Sequence, residues 1–473
     1  MNARQRIGIF SLVMINFAAI ANVRTLPSVA PYGLSMLFFY SVAVFCFLIP
    51  SALVSAELAS GDLGNGGIYN WVSHAFGPRV GFFAVWLQNA NNFICFPMAL
   101  SFIASTMAYG IFPQLVDSKI FTLSVIIIVI WGGTFLTLGG VKLTGFISAI
   151  GGIIGTFIPV ALMVGIGIFW LISGRQSQIE FSVTSLVPDL SSAANVSLFL
   201  GVLLGFAGLE MSANHIQDVD NPQKQYPRAM FISSFLILAV CVLGSLAIAI
   251  VIPANEITMN GGAMQVLAAF FAEVKMSWVM PVLSCAMIIG SIAWFCAWVS
   301  GPPRALHATT YNGDLPRWFH RLNRNNMPTN IMIAQAFISS ILSVLFIFAE
   351  SINTAFTMLT VATTQFLLLM YVIMFLSAIV LKFRHPNMIC SYKVPFGKFG
   401  MCVVAGTGLV VCALFYVIGF FPPNAIGIQN KSAYFFTILT INIVLGFLPY
   451  VSLQIFQKPS WKNNHKNAPR IPL

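Results

Sequence analysis

Residues 16–28 read NFAAIANVRTLPS and residues 205–210 read GFAGLE, each inside an otherwise apolar run. The first interruption falls within the run 7–30, where Asn22, Arg24 and Thr25 stand close to Pro27. The second breaks the run 195–214 with two glycines and a carboxylate. A cation at mid-membrane costs roughly 2.5–3.5 kcal/mol on insertion scales, and lipid offers no partner to backbone exposed by a break. Such segments are tolerated only where they line a cavity inside the protein.

The surrounding chain makes the membrane setting plain. Its 473 residues are 58% hydrophobic and only 7% charged, where a soluble protein carries about 25% charged residues. Apolar runs fall near 7–30, 34–57, 80–111, 120–139, 146–173, 195–214, 229–252, 278–300, 329–349, 352–381, 401–421 and 433–457. Runs of about 20 residues predict membrane-spanning helices, here numbered spans one to twelve. They are solidly apolar rather than alternating, which excludes an outer-membrane barrel. The expectation is an all-α polytopic membrane protein, a single transmembrane domain with cytoplasmic tails at 1–6 and 458–473.

The net charge of +11 is a topology signal. With the N-terminus inside, 18 of the 23 Lys and Arg residues fall in cytoplasmic loops and tails. Lys119, Arg175, Lys275 and Lys431 fall outside, and Arg24 lies within span one. This bias predicts an inner-membrane protein of the bacterial type with both termini cytoplasmic. It leaves anionic lipid head groups, not nucleic acid, as the partner of the basic surface. A competing reading takes Arg4, Arg6 and Ala19-Ile20-Ala21 as a cleavable signal peptide, which would leave eleven spans and reverse the loop parity. The eight cysteines form no CxxC pair; they imply packing rather than disulfides or a metal site, and no cofactor is expected.

Spans one and six open two five-helix halves of opposite orientation, 7–173 and 195–381, followed by two further spans over 401–457. Interrupted helices at matching places in two such halves point to a transporter with its site near the midplane.

The stretch GFAGLEMSANHIQDVDNPQKQYPRAM (205–230) resembles the amino acid–polyamine–organocation transporters, and within them the bacterial glutamate/γ-aminobutyrate antiporter branch. The matching elements are Gly208, Glu210, Ala213, His215, Asn221-Pro222 and Tyr226-Pro227. AELASGDLGNGGIYNWVSHAFGPRVGF (56–82), WVSGPPRAL (298–306) and the Arg-His-Pro at 384–386 fit the same family. The resemblance runs from about 7 to 457. It implies twelve helices in the five-plus-five inverted-repeat fold of the LeuT type, with helices 1 and 6 discontinuous. It also implies exchange of an incoming amino acid for its decarboxylated product. Two positions depart from the branch. Arg24-Thr25 stands where an aromatic–acidic pair is usual, and Trp294 replaces a Glu.

Broken helices free backbone N–H groups that attract a carboxylate and carbonyls that attract an ammonium. Ala21, Asn22, Val23, Gly205, Phe206, Ala207 and Gly208 are therefore candidates for the α-amino and α-carboxyl groups. The alternative is that Gly205 and Gly208 only permit close helix packing. Arg24, with Thr25 beside it, either binds an anionic substrate group bidentately or extends to the outer interface. Glu210 is either a proton-linked gate with a raised pKa or a helix cap; His215 is a titratable neighbour at the cytoplasmic end or a surface residue. In WLQNANNF (86–93), Gln88 and Asn92 share a helical face that either lines the cavity or bonds another helix. Trp294 and Trp298 mark an aromatic face on span eight. By likeness to arginine/agmatine antiporters, Phe206 and Trp294 close over the substrate; core packing is the other reading. Glu57 is expected to fix the cytoplasmic end of span two.

The leading expectation is an amino-acid antiporter, with glutamate and γ-aminobutyrate as the first pair to consider, monomeric or homodimeric. A proton-coupled amino-acid or amine permease of the same fold is the alternative. An enzyme is not expected: the chain has no HExxH, GxSxG or P-loop and no pair of intramembrane aspartates. A channel finds no support in a repeated filter sequence or a ring-forming charge.

Overall fold

The computed structural model describes residues 8–20, 23–61, 67–140, 151, 153–192, 196–197, 199–208, 222–310, 313–386, 388–390, 392–423, 430–458 and 461. Ala21, Asn22, Glu210 and His215 lie outside the described residues.

Among the described residues, ten helices are long and apolar enough to cross a membrane. They coincide with every expected span except one and six. Span one is a helix over Ile9–Ile20 followed by the 3-10 segment Val23–Ser28. Span six is a short helix over Phe199–Phe206 that turns at Gly208, whose φ of +116° is a conformation L side chains avoid. The two interrupted runs thus give the two broken elements, and they lie against each other. A Cβ on Gly201 would sit 2.6 Å from the Ser28 Cβ, and one on Gly205 would sit 3.5 Å from the Thr25 Oγ1.

Prolines shape the remaining spans. The π-helical turns Val44–Leu48, Ile153–Phe157 and Asn442–Phe447 each end two residues before a proline: Pro50, Pro159 and Pro449. Proline has no N–H for the carbonyl four residues back, so the ladder slips locally to a wider turn. Two of the orphaned carbonyls are repaired from span three, Pro78–Gly110. Trp86 Nε1 donates to the Leu445 carbonyl at 2.9 Å, four residues before Pro449. Asn92 Nδ2 donates to the Trp298 carbonyl at 3.0 Å, four residues before Pro302. Span three can reach both because it runs through the centre. In its most apolar window 89% of residues are buried, against 28% and 22% in spans eleven and twelve, which pack at the periphery.

Several helices run beyond the apolar runs that announce them. Span seven begins at Pro222 and span eight continues to Thr309 through Pro302 and Pro303. Hydropathy marks only the length that needs lipid, whereas the hydrogen-bond ladder continues into the polar loop. Span five meets span eight at a glycine pair, where a Cβ on Gly155 would lie 2.3 Å from the Gly290 Cα; small residues let the backbones touch.

Each face of the bundle carries a tie. On one face, the short helix Gly262–Glu273 rests on the broken first span, a Cβ on Gly262 falling 2.9 Å from the Pro27 Cβ. Glu273 pairs with Arg175, whose guanidinium lies 4.7 Å from the Trp170 ring centre. On the opposite face, Glu57 at the end of span two is buried, with Oε1 2.5 Å from Lys382 Nζ. Its Oε2 accepts the Val394 N–H at 2.6 Å. The Ser60 hydroxyl bonds the Tyr392 backbone, and Arg384 Nη1 donates to the Ala75 carbonyl at 2.8 Å. The Glu57 and Ser60 bonds strap the loop after span ten onto span two, and the Arg384 bond ties the end of span ten to the helix Ile68–Phe76. Burial, reinforced by the Glu57 carboxylate, pushes the Cys390 thiol and the Tyr392 phenol up from their ordinary values. Cys390 therefore stays protonated at neutral pH.

Removing one member of a buried pair leaves the other charge uncompensated, at a cost of about 3–5 kcal/mol. Glu57→Ala is expected to lower the melting temperature in detergent markedly, while Glu57→Leu combined with Lys382→Met recovers most of the loss; an unchanged melting temperature for Glu57→Ala would make the pair a spectator. Gly201→Val must displace Ser28 and is expected to destabilise the protein and abolish transport. Gly406→Ala, which meets nothing within 4 Å, serves as the neutral control.

Candidate functional site

The break in span one exposes the Leu26 carbonyl, and span seven satisfies it: Ser245 Oγ donates to Leu26 at 2.9 Å. Tyr40 of span two bonds Ser245 at 2.9 Å, extending the chain. The break in span six is met from span ten. The Gly208 N–H donates to the Tyr371 hydroxyl at 2.9 Å; Thr364 Oγ1 of the same span donates to the Leu200 carbonyl at 3.3 Å, near the other end of the short helix. Backbone groups that lipid could not serve are thus held by hydroxyls of neighbouring helices. Tyr371, Tyr40 and Ser245 were not identified from the sequence. Their only signal is a lone hydroxyl in an apolar span, which many packing residues share.

Arg24 is turned inward. It is 6% exposed, and its guanidinium carbon lies 3.7 Å from the centre of the Trp294 ring. Cys95 of span three lies within electrostatic reach of the same guanidinium. Trp294 is itself buried, with Trp298 one turn further along span eight at a ring distance of 5.9 Å. A Cβ on Gly208 would meet the Trp298 ring at 3.6 Å and the Ile20 side chain at 3.5 Å. The two breaks, Arg24 and the aromatic face of span eight therefore converge on one locus.

The other expected residues distribute around it. Val23, Gly205, Phe206 and Ala207 are buried and Thr25 is half-buried. Phe206 lies against Tyr40, ring centres 5.8 Å apart, while Trp294 contacts Arg24 and Trp298. Of the span-three amides, Gln88 is buried. Asn92 is committed to the carbonyl freed by Pro302, and Asn89 Nδ2 donates to the Pro302 carbonyl at 3.1 Å. Both tie span three to span eight. The Oδ1 atoms of Asn89 and Asn91 are buried and accept no hydrogen bond among the described residues.

Beyond the crossing lies a small crevice lined by Ser28, Ser197, Leu200, Gly201, Met259, Phe356, Thr357, Thr360 and Val361. Its lining combines hydroxyls with apolar groups and carries no charge. Arg24, four residues before Ser28 along the 3-10 segment with Val23, Thr25 and Leu26, is the charged group of the broken span.

The sequence model of the family described as amino acid permease matches residues 7–444. An uncharacterized transporter of Legionella pneumophila is 38% identical over 450 residues, covering 95% of this chain and 97% of that protein. The glutamate/γ-aminobutyrate antiporter of Lactococcus lactis is 26% identical over 460 residues, covering 96% of this chain and 92% of that protein. The structure of MhsT in complex with L-phenylalanine superposes with a TM-score of 0.60 at 12% identity, over 88% of this chain and 100% of that one. That likeness concerns the fold: the LeuT-type architecture expected from the sequence. Family and fold alike are those of membrane transporters, and the chain belongs to the amino acid permease family.

Proposed function

We propose that this multi-pass membrane protein is a secondary-active antiporter, exchanging an external amino acid for an internal amino acid or its decarboxylated amine. The substrate docks where spans one and six break, and alternating access carries it across. The observation that carries this reading is Arg24, a buried guanidinium set beside two broken backbones. Freed N–H and C=O groups suit an α-carboxylate and an α-ammonium. A guanidinium adds bidentate capture of a second carboxylate. Glutamate is the amino acid with that pattern, and γ-aminobutyrate is its decarboxylation product. Similarity to the Lactococcus antiporter over nearly the whole chain supports the same pair.

In this reading the bilayer is the inner membrane of a bacterium, both termini face the cytoplasm, and the working unit is a monomer or homodimer. Glu210 and His215, beyond the described part of span six, stand as candidates for cytoplasmic gating or proton coupling, and Trp298 for gating beside Gly208.

The test is uptake of labelled glutamate into proteoliposomes. Uptake is expected to rise severalfold when the lumen holds γ-aminobutyrate or unlabelled glutamate. Equal uptake into empty vesicles under a pH gradient would instead establish a proton-coupled permease. Absence of counter-substrate stimulation for every amino acid tried would reject exchange.

A further inference from the structure

A tryptophan face is among the few groups in a protein interior that can hold an organic cation without a counter-charge, through the negative face of its ring quadrupole. Trp294 offers such a face at the crossing, and that face is occupied. The Arg24 guanidinium carbon stands 3.7 Å above the ring centre, and both side chains are nearly sealed from solvent. A cation already seated there opposes a second one by occupying the contact and by like-charge repulsion in a low-dielectric surround.

Stacking uses the flat face of the guanidinium, so a cationic side chain meets an occupied ring.

We propose that Arg24 is the built-in tenant of the Trp294 face and thereby excludes guanidinium and diamine substrates from the site. This rests on the reading of the crossing as the substrate site. A single substitution at Arg24 then changes the substrate class instead of merely weakening transport. Removing the arginine leaves a vacancy with the shape of a guanidinium above an intact tryptophan, so agmatine, an amine carrying that group, is the matching probe.

The experiment uses the full-length purified chain in detergent and measures agmatine and putrescine binding by calorimetry, with glutamate/γ-aminobutyrate exchange assayed in parallel. The unsubstituted protein is expected to show no agmatine binding. Arg24→Ala is expected to gain it by roughly tenfold or more over that background, Arg24→Lys to stay closed, and Arg24→Ala with Trp294→Leu to lose the gain. Arg24→Gln carries the same comparison if the alanine variant does not survive purification. Agmatine binding by the unsubstituted protein, a folded Arg24→Ala or Arg24→Gln without the gain, or a gain that survives Trp294→Leu would each overturn the proposal. A gain of agmatine binding in a protein that exchanges no amino acid would overturn the exchange reading alone. Normal exchange without the gain would overturn this inference alone.

Discussion

In the hydrocarbon layer a peptide group has no solvent to bond, so each N–H and C=O must find its partner within the protein. The architecture of this permease follows from how that requirement is met where the α-helical ladder fails. It fails at the breaks of spans one and six and at prolines within helices. Different side chains respond in each place. Ser245 takes up the Leu26 carbonyl, and Tyr371 takes the Gly208 N–H. Asn92 and Trp86 on span three repair the carbonyls that Pro302 and Pro449 leave open. The first pair of repairs comes from spans seven and ten and surrounds the broken helices. The second comes from the most buried span and ties it to spans eight and twelve. The same constraint therefore gathers side chains around the two breaks and builds a firm frame beside them.

Charge is handled with equal economy. Glu57 and Lys382 neutralise each other at one end of the bundle, where the pair also fastens a loop. Arg24 is seated on an aromatic face. The ring holds the guanidinium through its flat face.

Much of this was legible in the sequence. The apolar runs mark ten continuous spans, and the two polar interruptions mark the two spans that break. The packing alternative weighed for Gly205 and Gly208 agrees with the close approach of Gly205 to Thr25, whereas Gly201, which meets Ser28, was not singled out. The positions that resisted prediction share one cause. A helix that is apolar all round carries no moment to tell which side faces which neighbour. Whether Arg24 turned inward or outward was therefore open, as was whether Gln88 and Asn92 faced a cavity or another helix. Asn92 proved to serve the Trp298 carbonyl, a role visible only once Pro302 is known to stand opposite it. Helix ends such as Pro222 and Thr309 were missed because polar turns beyond the lipid leave no hydropathy signal.

The central claim is that solute docks between the two broken helices, with Arg24 as its charged contact. A density map of the protein with bound L-glutamate tests it most directly. The account predicts ligand density between residues 21–25 and 205–208, its side-chain carboxylate on the Arg24 guanidinium and its α-groups on the freed backbone. Spans one and six drawn as unbroken rods, or glutamate held elsewhere in the bundle, would contradict it.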